Sequence, residues 1–305
     1  TTARMAAANQ GEPMTGTILD LTAADYHQDK IDDRPSLNAS IAKVLLNDSP
    51  LHAWHAHPRL NPNYIPSVDR KFDVGTVVHR MLLQPEQANH VAVVDALDWR
   101  TKAAQEVRDQ AREEGDIPLL AGEWQRVQEM LTAVRDQINR LDVDPLPFYA
   151  GKAEQTICWE DERTGVLCRS RLDWLRDDMT GIDDAKTTKA SAHPAEWSRR
   201  TLWSIGADVQ CVAYKAAVKS VTGDEPDMRF IVMESQPPYA LSVVSLAPSA
   251  IALGEAKWNL ALDIWKRCLE RDTWPAYIPR VVEAEAPPYA ESDFWDKQLD
   301  EETSK

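Results

Sequence analysis

The hydrophobic spacing of this chain changes period once, near Pro145 and Pro147, and that change limits the folds open to it. Before the two prolines, apolar residues recur at helical intervals. From 122 to 141 they are Trp124, Val127, Leu131, Val134, Ile138 and Leu141, a helix with one buried face. Ser36 is expected to cap a helix carrying Leu37, Ile41, Val44 and Leu45, and residues 73–84 predict another with Val74, Val77, Val78, Met81 and Leu82 on one side. Residues 101–115 are charged and alanine-rich, a solvated helix, and 56–70 hold three prolines and read as irregular.

After the prolines the period becomes two. Glu154–Trp159 and Val166–Asp173 predict strands joined by a turn at 161–165, and Thr180–Thr187 a third. Helices follow over 194–203 and 206–220, then strands over Met228–Glu234 and Leu241–Leu246. Pro248 suits the first turn of a last helix ending near Arg271. This order predicts an α/β fold with a mixed central β-sheet flanked by helices. It would form a single domain over 16–283, with a helical N-terminal half (36–147) and a sheet-containing half (152–271). Residues 1–15 are expected to be disordered, and 284–305 to form an acidic, partly mobile tail.

The chain carries 34 Lys+Arg against 49 Asp+Glu, a net charge of −15, which argues against a surface that attracts nucleic acid everywhere. The charge is segregated. Residues 163–200 hold eight basic and six acidic side chains, 8 − 6 = +2, which leaves −17 for the rest. The four cysteines are scattered, with no zinc-ribbon or iron–sulfur spacing, and suit a reducing cytoplasm. A membrane span, a secretory leader and a Walker-type ATP site are not expected.

The chemistry is expected in that basic window. Asp184 and Lys186 are two apart and share a strand face. Asp173 and Asp184 straddle a midpoint in the turn-forming run Asp177–Gly181, so a regular hairpin sets them opposite each other, with Cβ atoms about 5 Å apart. Carboxylates that close repel unless a cation lies between them, and oxygen ligands favour Mg²⁺ or Mn²⁺. Lys186 beside them could position or deprotonate water and screen a phosphate, which suits phosphodiester hydrolysis. Because D-x-K is short and common, the pattern alone leaves an ordinary strand pairing equally open.

Asp177, Asp178 and Asp183 read as turn and surface charges. His79 lies off the apolar stripe of its helix, where an imidazole could ligate a metal or face solvent; His55 and His57, next to Pro58, read as loop or surface. Gln210 and Tyr214 share a helix face and could touch a scissile strand or orient Lys186, or be a partly buried polar pair. Glu154 could be a second-sphere carboxylate or an exposed strand end. Trp124, Trp258 and Trp265 read as core. Arg199 and Arg200 are expected on backbone phosphates, the alternative being a solvated face with an Arg199–Glu196 pair; Arg169, Arg171 and Lys189 are further candidates for DNA contact.

These residues, in this order, resemble the PD-(D/E)XK nuclease superfamily, and most of all its RecE-like branch, the exodeoxyribonuclease VIII family of phages and prophages. The resemblance rests on Gly75–His79 with Leu82–Glu86, Thr164–Asp173, Asp184–Thr188, Val209–Tyr214 and Trp274-Pro275, together with Tyr26-His27 and the Ser36–Leu46 stretch. It spans roughly residues 17–280. It implies a PD-(D/E)XK core in which His79, Asp173, Asp184 and the Ala185 carbonyl bind Mg²⁺ or Mn²⁺. Lys186 would be the catalytic lysine, with Gln210 and Tyr214 beside it. Leu172 stands where the superfamily name has proline, and Asp208 where the best-known member has a basic residue. The resemblance further implies ATP-independent 5′→3′ digestion of linear duplex DNA, leaving 3′ strands for a RecT-like annealing protein, and a ring-shaped homotetramer in the bacterial cytoplasm. A PD-(D/E)XK endonuclease, structure-specific or restriction-type, and a non-catalytic DNA-binding assembly protein on this fold are the alternatives.

Overall fold

A computed structural model describes residues 16–65, 73–85 and 90–303; the expectation for residues 1–15 lies outside them. In chain order the elements are β1 (Thr17–Leu19), α1 (Ala23–His27), α2 (Ala39–Asn47), α3 (Pro50–Ala56), α4 (Asp73–Leu83), β2 (Val91–Val94), α5 (Lys102–Glu113), β3 (Ile117–Leu120) and α6 (Ala121–Ile138). After the prolines come β4 (Gly151–Glu160), β5 (Leu167–Arg176), β6 (Gly181–Thr188), α7 (Pro194–Glu196), a π-helical turn (Trp197–Thr201), α8 (Leu202–Ile205), α9 (Ala207–Thr222), β7 (Asp227–Glu234), β8 (Leu241–Val244) and α10 (Pro248–Arg271). The chain divides into two units at Pro275, and the second (Ala276–Lys305) contains one helix, α11 (Pro288–Thr303), with no buried residue.

Six strands form a mixed sheet in the order β1-β4-β5-β6-β7-β8, with β6 and β7 parallel and the other neighbours antiparallel. One sheet face packs Leu172, Ile182 and Phe230 against α2, α9 and α10. The other packs Ala185, Ile231 and Met233 against Val77 and Val78 of α4 and the buried stripe of α6. Helix α9 is buried nearly all round, by small residues such as Ala207, Ala213 and Ala217. It approaches α10 at Gly254, where a Cβ would lie 2.6 Å from the Asp208 carbonyl oxygen.

Three short strands carry no signal of their own. β1 is three residues long, and β2 and β3 form a separate parallel pair. The N-terminus of α2 differs from expectation as well. Its cap is Asn38, whose side chain accepts the Ile41 N–H, whereas Ser36 is fully buried and donates to Asp29 (2.5 Å).

That bond belongs to a buried polar clip that corrects two expectations. Arg169 is not a DNA contact. It is buried, pairs with Asp29 (2.8 Å) and donates to the Ser36 carbonyl (2.7 Å). His57 is not a surface residue either: it is fully buried, 3.3 Å from Asp29, and packs on Trp265. Burial alone would raise the Asp29 carboxyl, but His57, Arg169 and Ser36 hold it below the ordinary value. The clip fastens the 29–36 loop to β5. Asp29→Ala would leave a buried guanidinium without its counter-charge, and a loss of about 3–5 kcal/mol is expected in denaturant unfolding; a loss within error of zero would deny the clip its role.

Candidate active site

The β5–β6 hairpin sets the site. Its ladder pairs Leu175 with Ile182 and Trp174 with Asp183. This is the register expected from the sequence, so Asp173 comes level with Asp184. The pairing stops one residue short of those two acids. There the Asp173 Oδ2 accepts the Ala185 N–H at 2.9 Å, so a side-chain carboxylate stands where a ladder carbonyl would have been. β6 continues alongside β7 as far as Thr188.

On the opposite side of β5, Ala153 pairs with Trp174 and Gln155 with Leu172. Glu154, level with Asp173, has φ of 56°, a left-handed conformation that a non-glycine residue in a strand seldom adopts. The strained residue lies against the acids. α4, anchored by Val77 and Val78, brings in His79. Its Nε2 is 3.0 Å from Asp173 Oδ2, and its Nδ1 is 3.4 Å from Glu154 Oε1. Arg171 holds the other Glu154 oxygen at 2.5 Å and donates to Thr156 and to the Leu21 carbonyl.

Asp184 is fully buried. One of its oxygens pairs with Lys186, and the other accepts from Gln210 Nε2 at 2.7 Å. Gln210 therefore holds Asp184, which itself pairs with Lys186. Lys186 lies 5.8 Å from the Phe230 ring centre. Tyr214, one turn after Gln210, is buried and lines a cleft of about 490 Å³ together with His79, Glu154 and Asp173.

The electrostatics separate the acids. Burial would raise Asp173, but His79, Lys186 and the Ala185 N–H together hold it below the usual carboxylate value. Burial likewise disfavours the charged form of His79, yet Asp173 and Glu154 raise its pKa overall. Asp184 goes the other way. Burial, with Asp173 close by, pushes it up to about 7 against the pull of Lys186.

Donor atoms of His79, Glu154 and Asp173 all lie within 4.8 Å of one another. One imidazole and two half-buried carboxylates fit a hard divalent cation. Asp184 is not in this trio; it faces Lys186 and Gln210. Glu154 joins the site as a partner of His79. It could have been found from the sequence by the same reflection that placed Asp184, since (154 + 173)/2 = 163.5 falls in the 161–165 turn.

The remaining candidates diverge. Asp178 is a turn residue, accepting from Thr180, and Asp177 is exposed. Asp183 contradicts its surface assignment. It is fully buried, pairs with Arg229 through both oxygens (2.7 and 3.0 Å) and accepts the Phe148 N–H. Asp208, also buried, pairs with Lys257 of α10 at 2.5 Å. Lys189, Arg199 and Arg200 are exposed, and Arg199 pairs with Glu196 at 3.2 Å.

A family model described as a PDDEXK-like domain of unknown function (DUF3799) matches residues 44–282. The chain belongs to this family. The match takes in every element of the site just described. Among solved structures the PDDEXK-like chain is similar to one from Eubacterium rectale described as a "Putative exonuclease". Identity is 14%, TM-score 0.58, with 88% of this chain and 97% of that chain covered; at that identity the likeness concerns the fold. No curated protein matches the sequence.

Asp184 and His79 predict how the metal-free domain responds to pH. Both have raised pKa values in the folded state, so these two sites hold more protons in the folded chain than in the unfolded one and their contribution to stability falls as pH rises through neutrality, while His27, lowered by burial, contributes in the opposite sense. Thermal unfolding without divalent ions should show this decline. Asp184→Asn, which cannot ionise, should flatten it; a slope equal to that of wild type would show that Asp184 does not titrate as described.

Proposed function

We propose that this PDDEXK-like chain is a metal-dependent, ATP-independent exodeoxyribonuclease that digests linear duplex DNA 5′→3′ and leaves 3′ single strands. The observation that supports this most is the opened hairpin, which gathers His79, Glu154 and Asp173 on one side and an Asp184 held between Lys186 and Gln210 on the other. The sequence resemblance to the RecE-like branch supports polarity and product, and the exonuclease description of the Eubacterium rectale protein is in keeping with it.

His79, Glu154 and Asp173 would hold Mg²⁺, or Mn²⁺ in its place, with Asp184 and the Ala185 carbonyl adjacent. A bound ion would supply a Lewis acid for the phosphoryl oxygen and lower the pKa of water. Asp184, held between Lys186 and Gln210 beside this trio, is the group that would accept a proton from attacking water. Lys186 opposes the negative charge that develops on the phosphate. Gln210 keeps Asp184 turned toward Lys186, and Arg171 keeps Glu154 turned toward His79. Lys189, Arg199 and Arg200 are placed on DNA phosphates in this reading. The 3′ strands would pass to a RecT-like annealing protein, in the bacterial cytoplasm, from a ring of four copies.

Two outcomes are expected. Digestion of end-labelled linear duplex with Mg²⁺ should proceed while covalently closed circles stay intact, and Lys186→Ala should lose activity by about 10²-fold or more with DNA binding retained. Cleaved circles would favour an endonuclease, and normal turnover by Lys186→Ala would remove the lysine from the chemistry. Replacing Arg199 and Arg200 together by alanine should flatten the salt dependence of binding by about 0.9 log–log units per lost phosphate contact. An unchanged slope would leave Arg199 in its Glu196 pair alone.

A further inference from the structure

The cleft beside the acids extends beyond what phosphodiester chemistry needs. His79, Glu154 and Asp173 line one part of it. Another part is lined by Ile41 and Val44 of α2, Ala56 at the end of α3, and Pro58 and Tyr64 of the following loop. Of these, Val44, Ala56, Pro58 and Tyr64 are only partly buried, so they present apolar surface to the cleft. A phosphate, a metal or water gains nothing from such a wall.

The whole cleft is about 490 Å³, within the usual range for one small ligand and too small to admit stacked base pairs. A single nucleotide supplies both chemistries at once, with a charged phosphate at one end and a flat apolar face at the other. The wall stands on rigid supports. Asn38 caps α2 beneath Ile41, Ser49 caps α3, and the buried Asp29–Arg169 clip holds the preceding loop to β5. The Tyr64 backbone N–H is bonded to the Asn61 carbonyl (3.0 Å), and Asn61 is tied by its own side chain to the His55 carbonyl (2.8 Å).

We infer that the wall formed by Ile41, Val44, Ala56, Pro58 and Tyr64 is a subsite for a single nucleobase, which seats one nucleotide at a time with its phosphate toward His79 and Asp173. The inference rests on the nuclease reading for the identity of its ligand. Tyr64 provides the aromatic face, and stacking on such a face accepts any base. The subsite thus orients the strand without reading its sequence.

The test reads binding and not cleavage. Calorimetric titration with thymidine 5′-monophosphate and with deoxyribose 5-phosphate, both in Mn²⁺, isolates the contribution of the base. Wild type should bind the nucleotide about tenfold or more tightly than the sugar phosphate. Tyr64→Ala should shrink that ratio to below about threefold, and Tyr64→Phe, which keeps the ring, should restore it, with thermal unfolding used to confirm that each variant folds. Equal affinity for the two ligands in wild type, no binding of the nucleotide, or a ratio that survives Tyr64→Ala would each overturn the subsite. Failure of Mg²⁺-dependent digestion would instead count against the nuclease reading, whatever the titrations show.

Discussion

The bond from the Ala185 N–H to the Asp173 carboxylate organises this molecule's functional region. A two-stranded ladder normally uses backbone carbonyls throughout, and it holds its strands at a constant spacing. Here one carbonyl is replaced by a side chain, so β5 and β6 part where the two acids come level. The opening gives Asp173 a fixed orientation and leaves Asp184 on a strand that is still held by β7. It also makes room for Lys186 and for the Gln210 amide from α9. Had the ladder continued, the two carboxylates would have faced each other across an ordinary cross-strand pair at high electrostatic cost.

The treatment of acidic groups elsewhere in the fold makes the site stand out. Asp29, Asp183 and Asp208 are all fully buried, and each has a dedicated cation: Arg169, Arg229 and Lys257. Their charges are used up in joining a loop to β5, β6 to β7, and α9 to α10. In the cleft the balance is different. Asp173, Glu154 and Asp184 share His79, Arg171 and Lys186, of which the histidine is only conditionally charged. Such a cluster is short of positive charge, and a divalent cation would supply it.

Helical entry to the sheet matters as much as the strands. α9 can lie close to the sheet because its inward residues are small, and it reaches α10 through Gly254. Gly206, with φ of 70°, ends α8 and starts α9 in a left-handed turn, and a Cβ there would lie 2.9 Å from the Lys43 side chain. This turn aims Gln210 at Asp184 and Tyr214 at the cleft. On the opposite layer, Val77 and Val78 seat α4 so that the next residue, His79, meets Asp173 and Glu154.

The local signals in the chain were sufficient for the long elements. Helical spacing placed α4, α6 and α10, alternation placed the hairpin strands, and the turn run Asp177–Gly181 set the β5–β6 register, because these depend on neighbours within a few residues. The same reasoning reached Asp173, Asp184, Lys186 and His79. It missed β1, β2 and β3, which are too short to show a period, and it set Ser36 at a helix cap that Asn38 occupies. Most of all it could not tell which charges would be buried. Asp183 looked like a turn residue and Arg169 like a DNA contact. Their partners, Arg229 and Asp29, lie 46 and 140 positions away (229 − 183 and 169 − 29). Sequence by itself determined the long elements, the β5–β6 register and the level placement of Asp173 and Asp184. Only the tertiary structure decided which acid turns to His79, which to Lys186, and which vanish into the core, since burial and pairing are set by whatever distant segment packs alongside.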